Sequence, residues 1–390
     1  MGIAVSPACK RHASLQRAQP KDFAVQAKLL YRVVACSGNA ILPAQVDPQI
    51  VARHCQSLQA RMTRYRRGYL ARVRPFLAAL RPSSLPDTVI YPFGGGDLLA
   101  ALTTYPDARR FVTLSLELSG DPRRVTTIDS RKLDQSLDVV SRNVGRLLAA
   151  NDSTSETLMG TQQGELPGQL SYFLVALAVH GYEPVSLHYF RVEADGSLHY
   201  YSAAEIRAME TRLARARQGL WTSPDFSEAF ANSELVFRPV ARPGPLRVHL
   251  HIGANLRNAS LKKNPGLLRY LKSLGNVTAM TKAASYCLWN SSFSRLRDYL
   301  LANMSFMISD CTGIPPEPAR LAGFVQETYG SFHGAMCFED CPSSAYSDQF
   351  QDLWASQPHR NMNFRYGYVD ARHADNLLVT RRASTTNRGF

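Results

Sequence analysis

TVIYPFGGGDLLAALTTYPDARRFVTLSLE, residues 88–117, is the stretch whose reading decides the fold. Thr88 to Phe93 is β-branched and aromatic, the composition of a buried strand. Three glycines and Asp97 break it. Leu98 to Thr104 reads as a short helix, and Phe111 to Leu118 as a second strand with Glu117 at its end. Strand, glycine turn, helix and strand is the opening of an α/β unit with a parallel sheet.

Glycines at a strand-to-helix turn let a ligand approach the backbone, and the helix start presents free N–H groups. An acid about 20 residues later can accept hydrogen bonds from a ribose. Glu117 lies 21 residues beyond Gly96. Gly94, Gly95, Gly96, Asp97 and Glu117 are therefore the candidate cofactor-binding residues. Gly-Gly-Gly-Asp is not G-x-G-x-x-G, and Asp97 would repel a pyrophosphate. The positive amino group of S-adenosylmethionine suits Asp97 better, so that is the expected cofactor. The plainer alternative is a close-packed turn with Asp97 as a helix N-cap.

Outward from this unit, Met304 to Ser309 reads as another buried strand, and Asp310-Cys311-Thr312-Gly313-Ile314-Pro315 as the rigid loop after it. Ligands in open α/β sheets bind at the carboxyl ends of parallel strands. Asp97, Glu117 and Asp310 are expected to converge there, where crowding would make Asp310 a general acid or base. Tyr91 and Thr312 are the candidate substrate contacts. Cys311 has no histidine placed by the sequence to activate it. His249-Leu250-His251 would present both imidazoles on one strand face, but no third ligand is evident and no metal is expected.

The rest of the chain fills in a mixed, largely parallel sheet with flanking helices, Rossmann-like with insertions. Ala194-Asp195-Gly196 marks a hairpin, Ser202-Ala-Ala-Glu205 a capping box, and Gly181 a helix C-cap. Val277 to Trp289 reads as helix. Residues 1–48 read as irregular, 49–81 as one long helix kinked at Pro75, 85–370 as a single α/β domain, and 371–390 as a tail.

The 390 residues carry 45 Lys and Arg against 31 Asp and Glu. Residues 1–81 hold fourteen of those cations and only two acids, Asp22 and Asp47, so the body is nearly neutral. Val51, Leu58, Met62, Tyr65, Tyr69 and Val73 form one apolar stripe along the basic helix, with arginines on the other faces. Arg61, Arg64, Arg66 and Arg67 are candidates for an anionic membrane surface; the plainer reading is a solvated face. No nucleic-acid-binding motif accompanies them, so specific nucleic-acid binding is not expected.

A 45% hydrophobic content excludes a disordered chain, and apolar runs of about seven residues are too short for a spanning helix. Seven cysteines at scattered spacings build no zinc tetrad, though Cys337 and Cys341 could pair. Val33-Val34-Ala35-Cys36-Ser37-Gly38 is similar to a lipid-attachment box, with a poor apolar stretch upstream. The expected compartment is the cytoplasm, and the alternative is a cell-envelope lipoprotein anchored at Cys36.

Tyr91-Pro-Phe-Gly-Gly-Gly-Asp97, the segment from Ala284-Ser-Tyr286 to Phe293, and Asp310-Cys-Thr-Gly-Ile-Pro315 with Tyr329-Gly330 resemble an uncharacterised family of bacterial proteins. The resemblance spans residues 85–370. It implies no activity and assigns no functional residue, and it favours the envelope alternative. Two functions stand as expectations: an S-adenosylmethionine-dependent transferase with a small-molecule substrate, or a non-catalytic envelope-associated protein with an acid-rimmed pocket for a polar ligand.

Overall fold

A computed structural model describes residues 19–150, 165–216, 228–241, 244–335, 344–368 and 375–383. Cys9, Cys337, Cys341 and residues 151–164 of the polar stretch from Asn151 to Gly168 lie outside the described residues.

The helices used below are α1 (Ala24–Val34), α2 (Pro48–Tyr65), α3 (Ala71–Leu80), α4 (Leu98–Thr104), α5 (Ser130–Ala150) and α6 (Gly168–His180). They continue with α7 (Ala203–Ala216), α8 (Asn258–Lys263), α9 (Gly266–Ser273), α10 (Ser294–Asn303), α11 (Pro316–Leu321) and α12 (Ser344–Ala355). The strands are β1 (Thr88–Pro92), β2 (Arg110–Ser115), β3 (Tyr182–Val192), β4 (Leu198–Tyr200) and β5 (Asn232–Pro239). Then come β6 (Arg247–Gly253), β7 (Val277–Thr281), β8 (Met304–Ser309), β9 (Phe324–Gly330) and β10 (Asn376–Arg382).

They form one mixed α/β sheet in the order β4-β3-β5-β6-β2-β1-β7-β8-β10-β9. Its centre, β6-β2-β1-β7-β8, is parallel throughout. Both flanks are antiparallel. From β1 the chain passes to β2 on one side and only later to β7 on the other. That makes the gap between β1 and β7 a topological switch point, where the connections leave a crevice at the carboxyl ends.

Alternation along the central strands sends side chains to two cores. Val89, Tyr91, Met280 and Ile308 face the layer that contains α1, α2, α5 and α6. Ile90, Val112, Ala279 and Met307 face α8, α9 and α10. A smaller cluster of Tyr286, Trp289, Cys311, Phe350, Tyr368 and Leu378 joins the loops after β7 and β8 to α12.

Local signals behave as their chemistry dictates. Ser202 Oγ accepts the Glu205 N–H while the Glu205 carboxylate accepts the Ser202 N–H, closing the capping box that starts α7. Gly181 ends α6 in the left-handed conformation, and Gly196 turns the β3–β4 hairpin at φ +93°.

Four readings need correction. The first 48 residues are not all irregular: α1 buries Leu30, Val33 and Val34 in the main core. The stretch resembling a leader is apolar for that reason. Val277 to Trp289 is not a helix, since its first five residues pair in parallel with β1 and β8. Residues 376–382 are no tail; β10 lies between β8 and β9, with Leu377, Leu378 and Val379 buried. The basic segment breaks at a π-helical turn, Arg66–Leu70, before Pro75 rather than at it.

Cys36 is disulfide-bonded to Cys55, tying the end of α1 to α2. Its sulfur is therefore not free to carry a lipid, which corrects the lipoprotein alternative. The bridge spans 19 residues, and a loop of that size confers about 3 kcal/mol by chain entropy. Cys36→Ser/Cys55→Ser is expected to lose that amount in urea unfolding, and dithiothreitol should bring wild type to the same midpoint. Equal stability with and without the bridge would show that it carries no constraint. Among the described residues no helix is long and apolar enough to cross a membrane.

Candidate functional site

The loops leaving β1, β7 and β8 meet at the switch point. Asp97 ends the β1 turn and caps α4, accepting the Ala100 N–H on Oδ1 at 3.0 Å. Its Oδ2 accepts the Tyr91 hydroxyl at 3.1 Å and lies 2.6 Å from the Lys282 ammonium. Both side chains of this ion pair are only 1% exposed. Lys282 is the first residue after β7 and continues the row of Met280, so it points to the same face as Tyr91.

Asp310, the first residue after β8, is fully buried. Its Oδ2 accepts the Ala283 N–H at 2.8 Å, and Oδ1 accepts the Thr312 N–H at 2.9 Å and the Thr312 hydroxyl. Thr312 Oγ1 in turn accepts the Ala284 N–H at 3.0 Å, and the Tyr368 hydroxyl accepts the Ser285 N–H at 2.7 Å. Three successive backbone donors thus converge, with Ala283 at φ +49° and Ser285 at φ +48°. Successive N–H groups in such a conformation form an anion-binding concavity. Here the chain's own side chains occupy it: the Asp310 carboxylate, the Thr312 hydroxyl and the Tyr368 hydroxyl each take one N–H. Phe93 at φ +60° and Tyr286 at φ +52° add two more left-handed residues with side chains. Each is an unfavourable conformation for an L-residue, and such strain concentrates at functional sites.

The segment 366–368 closes the cluster. A Cβ on Gly367 would lie 2.6 Å from Asp310 Oδ2, and its φ is +98°, so only glycine fits. Burial, with Asp310 and Asp97 nearby, holds the Tyr366 hydroxyl protonated. Burial, followed by the Asp97 charge, does the same for Tyr91. Desolvation pushes the Asp310 carboxyl up, against hydrogen bonds from Thr312 and Ala283 and the Lys282 charge. Two carboxylates therefore share one lysine in a site without water contact, a setting suited to proton transfer.

The glycine turn is packed by side chains. A Cβ on Gly94 would meet the Tyr91 ring at 2.6 Å. One on Gly96 would meet Gln169 Oε1 at 2.6 Å and Tyr172 at 3.1 Å. Gly95 has φ +47°. Gln169 is fully buried, and neither of its amide atoms has a hydrogen-bond partner among the described residues. An unpaired buried amide costs free energy unless a water or ligand atom completes it.

Of the three acids expected to converge, Asp97 and Asp310 do, both acting on Tyr91 and Tyr366. Glu117 does not join them. After β2 the chain leans toward β6 and the segment before β5: Ala254 N–H bonds to Ser115 O, and Ser119 N–H to Ala231 O. The Glu117 carbonyl accepts from His251 Nε2 at 2.8 Å. His249 and His251 do share a face, but they bracket the Thr113 hydroxyl, each at 2.9 Å. Among the described residues no group of three or more metal-ligating side chains is assembled. Burial, then Asp310, keeps the Cys311 thiol protonated.

Of the four arginines, Arg66 caps the carboxyl end of α6, donating to Val179 O at 2.9 Å and Ala178 O at 2.6 Å. Arg61 donates to Ser141 O on α5 at 3.1 Å. Arg64 and Arg67 are exposed.

Lys282 and Gln169 escaped the sequence reading. Lys282 did leave a signal, as the one charged residue between Asn276 and Phe293. A lone cation in an apolar strand-like run is a candidate buried charge. No family profile matches the chain, and no curated protein aligns with it significantly.

Proposed function

We propose that the protein binds a small polar ligand at the carboxyl ends of β1, β7 and β8, with Lys282, Asp97 and Asp310 as its acid–base centre. The observation that carries this reading is the buried Lys282–Asp97 pair beside buried Asp310 at the switch point, next to the left-handed residues Phe93 and Ala283. A buried ion pair is weak evidence for stability, because desolvation offsets its attraction. Three ionisable groups on strained loops at the place where Rossmann-like sheets bind ligands favour a functional role. Asp310 is the proton donor or acceptor, Lys282 the fixed positive charge, and Gln169 the neutral hydrogen-bonding group. Tyr91 and Thr312 position the two carboxylates.

S-adenosylmethionine at the Gly94–Asp97 turn is the weaker form of this reading. Lys282 already neutralises Asp97, and Gln169 and Tyr172 fill the face of Gly96. The Glu117 backbone carbonyl is bonded to His251 beside β6, and no bond ties its carboxylate to the glycine turn among the described residues. The Cys36–Cys55 disulfide favours an oxidising compartment over the cytoplasm.

The test is a thermal-shift screen of wild type and Asp97→Asn/Lys282→Met against S-adenosylmethionine, adenosine, polyols, amino sugars and hydroxy acids. A probe that stabilises wild type and not the double variant supports the assignment. Stabilisation of both proteins by the same probe, or of neither by any, overturns it.

A further inference from the structure

A second site lies outside the buried cluster, in a groove of 840 Å³ between the basic segment, α5 and residues 362–365. Four guanidinium groups line it: Arg61 and Arg64 on α2, Arg72 on α3, and Arg365 on the segment that closes over Asp310. Asp375 is the one acid among the described lining residues. No ion pair to any of the four arginines occurs among the described residues. Two of them are held by backbone carbonyls, Arg61 by Ser141 and Arg72 by Asn363 at 2.8 Å. Such bonds orient a guanidinium without neutralising it.

The groove is built rather than left over. The π-helical turn Arg66–Leu70 joins α2 to α3, so residues from both helices face one hollow across an inserted residue. Arg61 reaches the hollow over Gly145, in the interior of α5, where a Cβ would lie 1.7 Å from its Nη1. Glycine in a helix interior costs about 1 kcal/mol relative to alanine. Here it opens the passage for the guanidinium. Tyr65 and Tyr69, stacked at 5.1 Å, form an aromatic wall.

We propose that this groove binds a small molecule carrying two or more phosphate groups. Four cations against one carboxylate exceed what a single anionic group needs, and planar guanidinium forks match phosphate oxygens. The concave shape suits a discrete headgroup or solute rather than a flat charged surface. This inference stands apart from the switch-point reading, although Tyr65 lines the groove and feels the Asp97 charge beneath it.

Calorimetric titration of the full chain with inorganic tripolyphosphate tests it, beside flotation with phosphatidylcholine vesicles containing cardiolipin, whose headgroup carries two phosphates. Saturable one-site binding of tripolyphosphate is expected. Arg72→Gln and Arg365→Gln should each weaken it about tenfold, the loss of one charge-assisted contact. Gly145→Ala should weaken it as well, because it displaces Arg61 with no change of charge. Arg67→Gln, outside the groove, should leave it unchanged. Vesicle binding that tripolyphosphate competes away, and that the same variants weaken, identifies the phosphate source as a lipid headgroup. Tripolyphosphate binding without vesicle binding identifies a free solute. No saturable tripolyphosphate binding, or equal weakening by Arg67→Gln and Arg72→Gln, would overturn the proposal. Circular dichroism of each variant separates a lost site from a lost fold.

Discussion

Lys282→Met is expected to destabilise the protein by about 3–5 kcal/mol, the cost of leaving a buried carboxylate without its counter-charge. The change keeps the length and apolar stem of the side chain, so packing is nearly conserved. What it removes is the ammonium 2.6 Å from Asp97 Oδ2, in a site that excludes water. Tyr91 and the Ala100 N–H would still bond to Asp97, but neither supplies positive charge. Stabilities of folded domains lie in the range of about 5–15 kcal/mol, so this single change would consume much of the total. Adding Asp97→Asn should recover most of the loss. An asparagine at 97 can still cap α4 and accept from Tyr91, and neither member of the ion pair is left charged without the other. Urea unfolding of wild type, the single variant and the double variant measures the cycle. Should Lys282→Met match wild type, the ion pair would not be the charge balance of the cluster, and the acid–base centre would lose its cation.

The parts of this architecture written in local chemistry were legible from the sequence. Residues 88–117 carry their own strand, turn, helix and strand, and they fold that way. Gly181 and the Ser202–Glu205 box act within four residues of themselves. Readings failed where long-range pairing decided. Val277–Thr281 is only five residues long, and residues 282–289 behind it carry no strand-like run of β-branched side chains, so local pattern leaves it ambiguous and a helix is read. Pairing with β1 and β8 makes it a strand. Asn376–Arg382 becomes an inner strand because partners far back in the chain flank it on both sides.

The site divides along the same line. Asp97 and Asp310 were readable as acids at strand ends. Lys282 was not, because a helical reading of its segment left it no defined place. Glu117 was misplaced because the path after β2 is set by contacts with β5 and β6. No pattern within residues 88–117 encodes those contacts.

Acidification should destabilise the protein steeply below pH 6.5, and the buried histidine pair is the main reason. His249 and His251 are fully buried, and desolvation holds both imidazoles below their ordinary range, His249 well below it. His251 is the charge that would oppose protonation of His249, while the Glu117 carbonyl and carboxylate partly offset burial at His251. His54 is lowered by burial too, and His180 is brought down to about 3 by burial and Arg74. A histidine depressed in the folded state stays neutral there, while the unfolded chain takes up the proton. Unfolding then binds protons, so stability is complete above pH 6.5 and is lost as pH falls toward the folded values. Each such group contributes a slope of about 1.4 kcal/mol per pH unit. While both imidazoles stay neutral in the fold and the unfolded chain is protonated, the pair gives roughly 2.7 kcal/mol per pH unit. Asp310 works in the opposite direction, since its raised value lets the folded state hold a proton that the unfolded chain releases. His249→Gln keeps a polar group beside Thr113 and cannot titrate, so its slope should be smaller by about 1.4 kcal/mol per pH unit. Urea unfolding at pH 7.5, 6.5, 5.5 and 4.5 measures both proteins. A wild-type curve that stays level from pH 6.5 to 4.5 would mean that the imidazoles are already protonated in the fold. The Thr113 bridge between them would then need a different arrangement of donors.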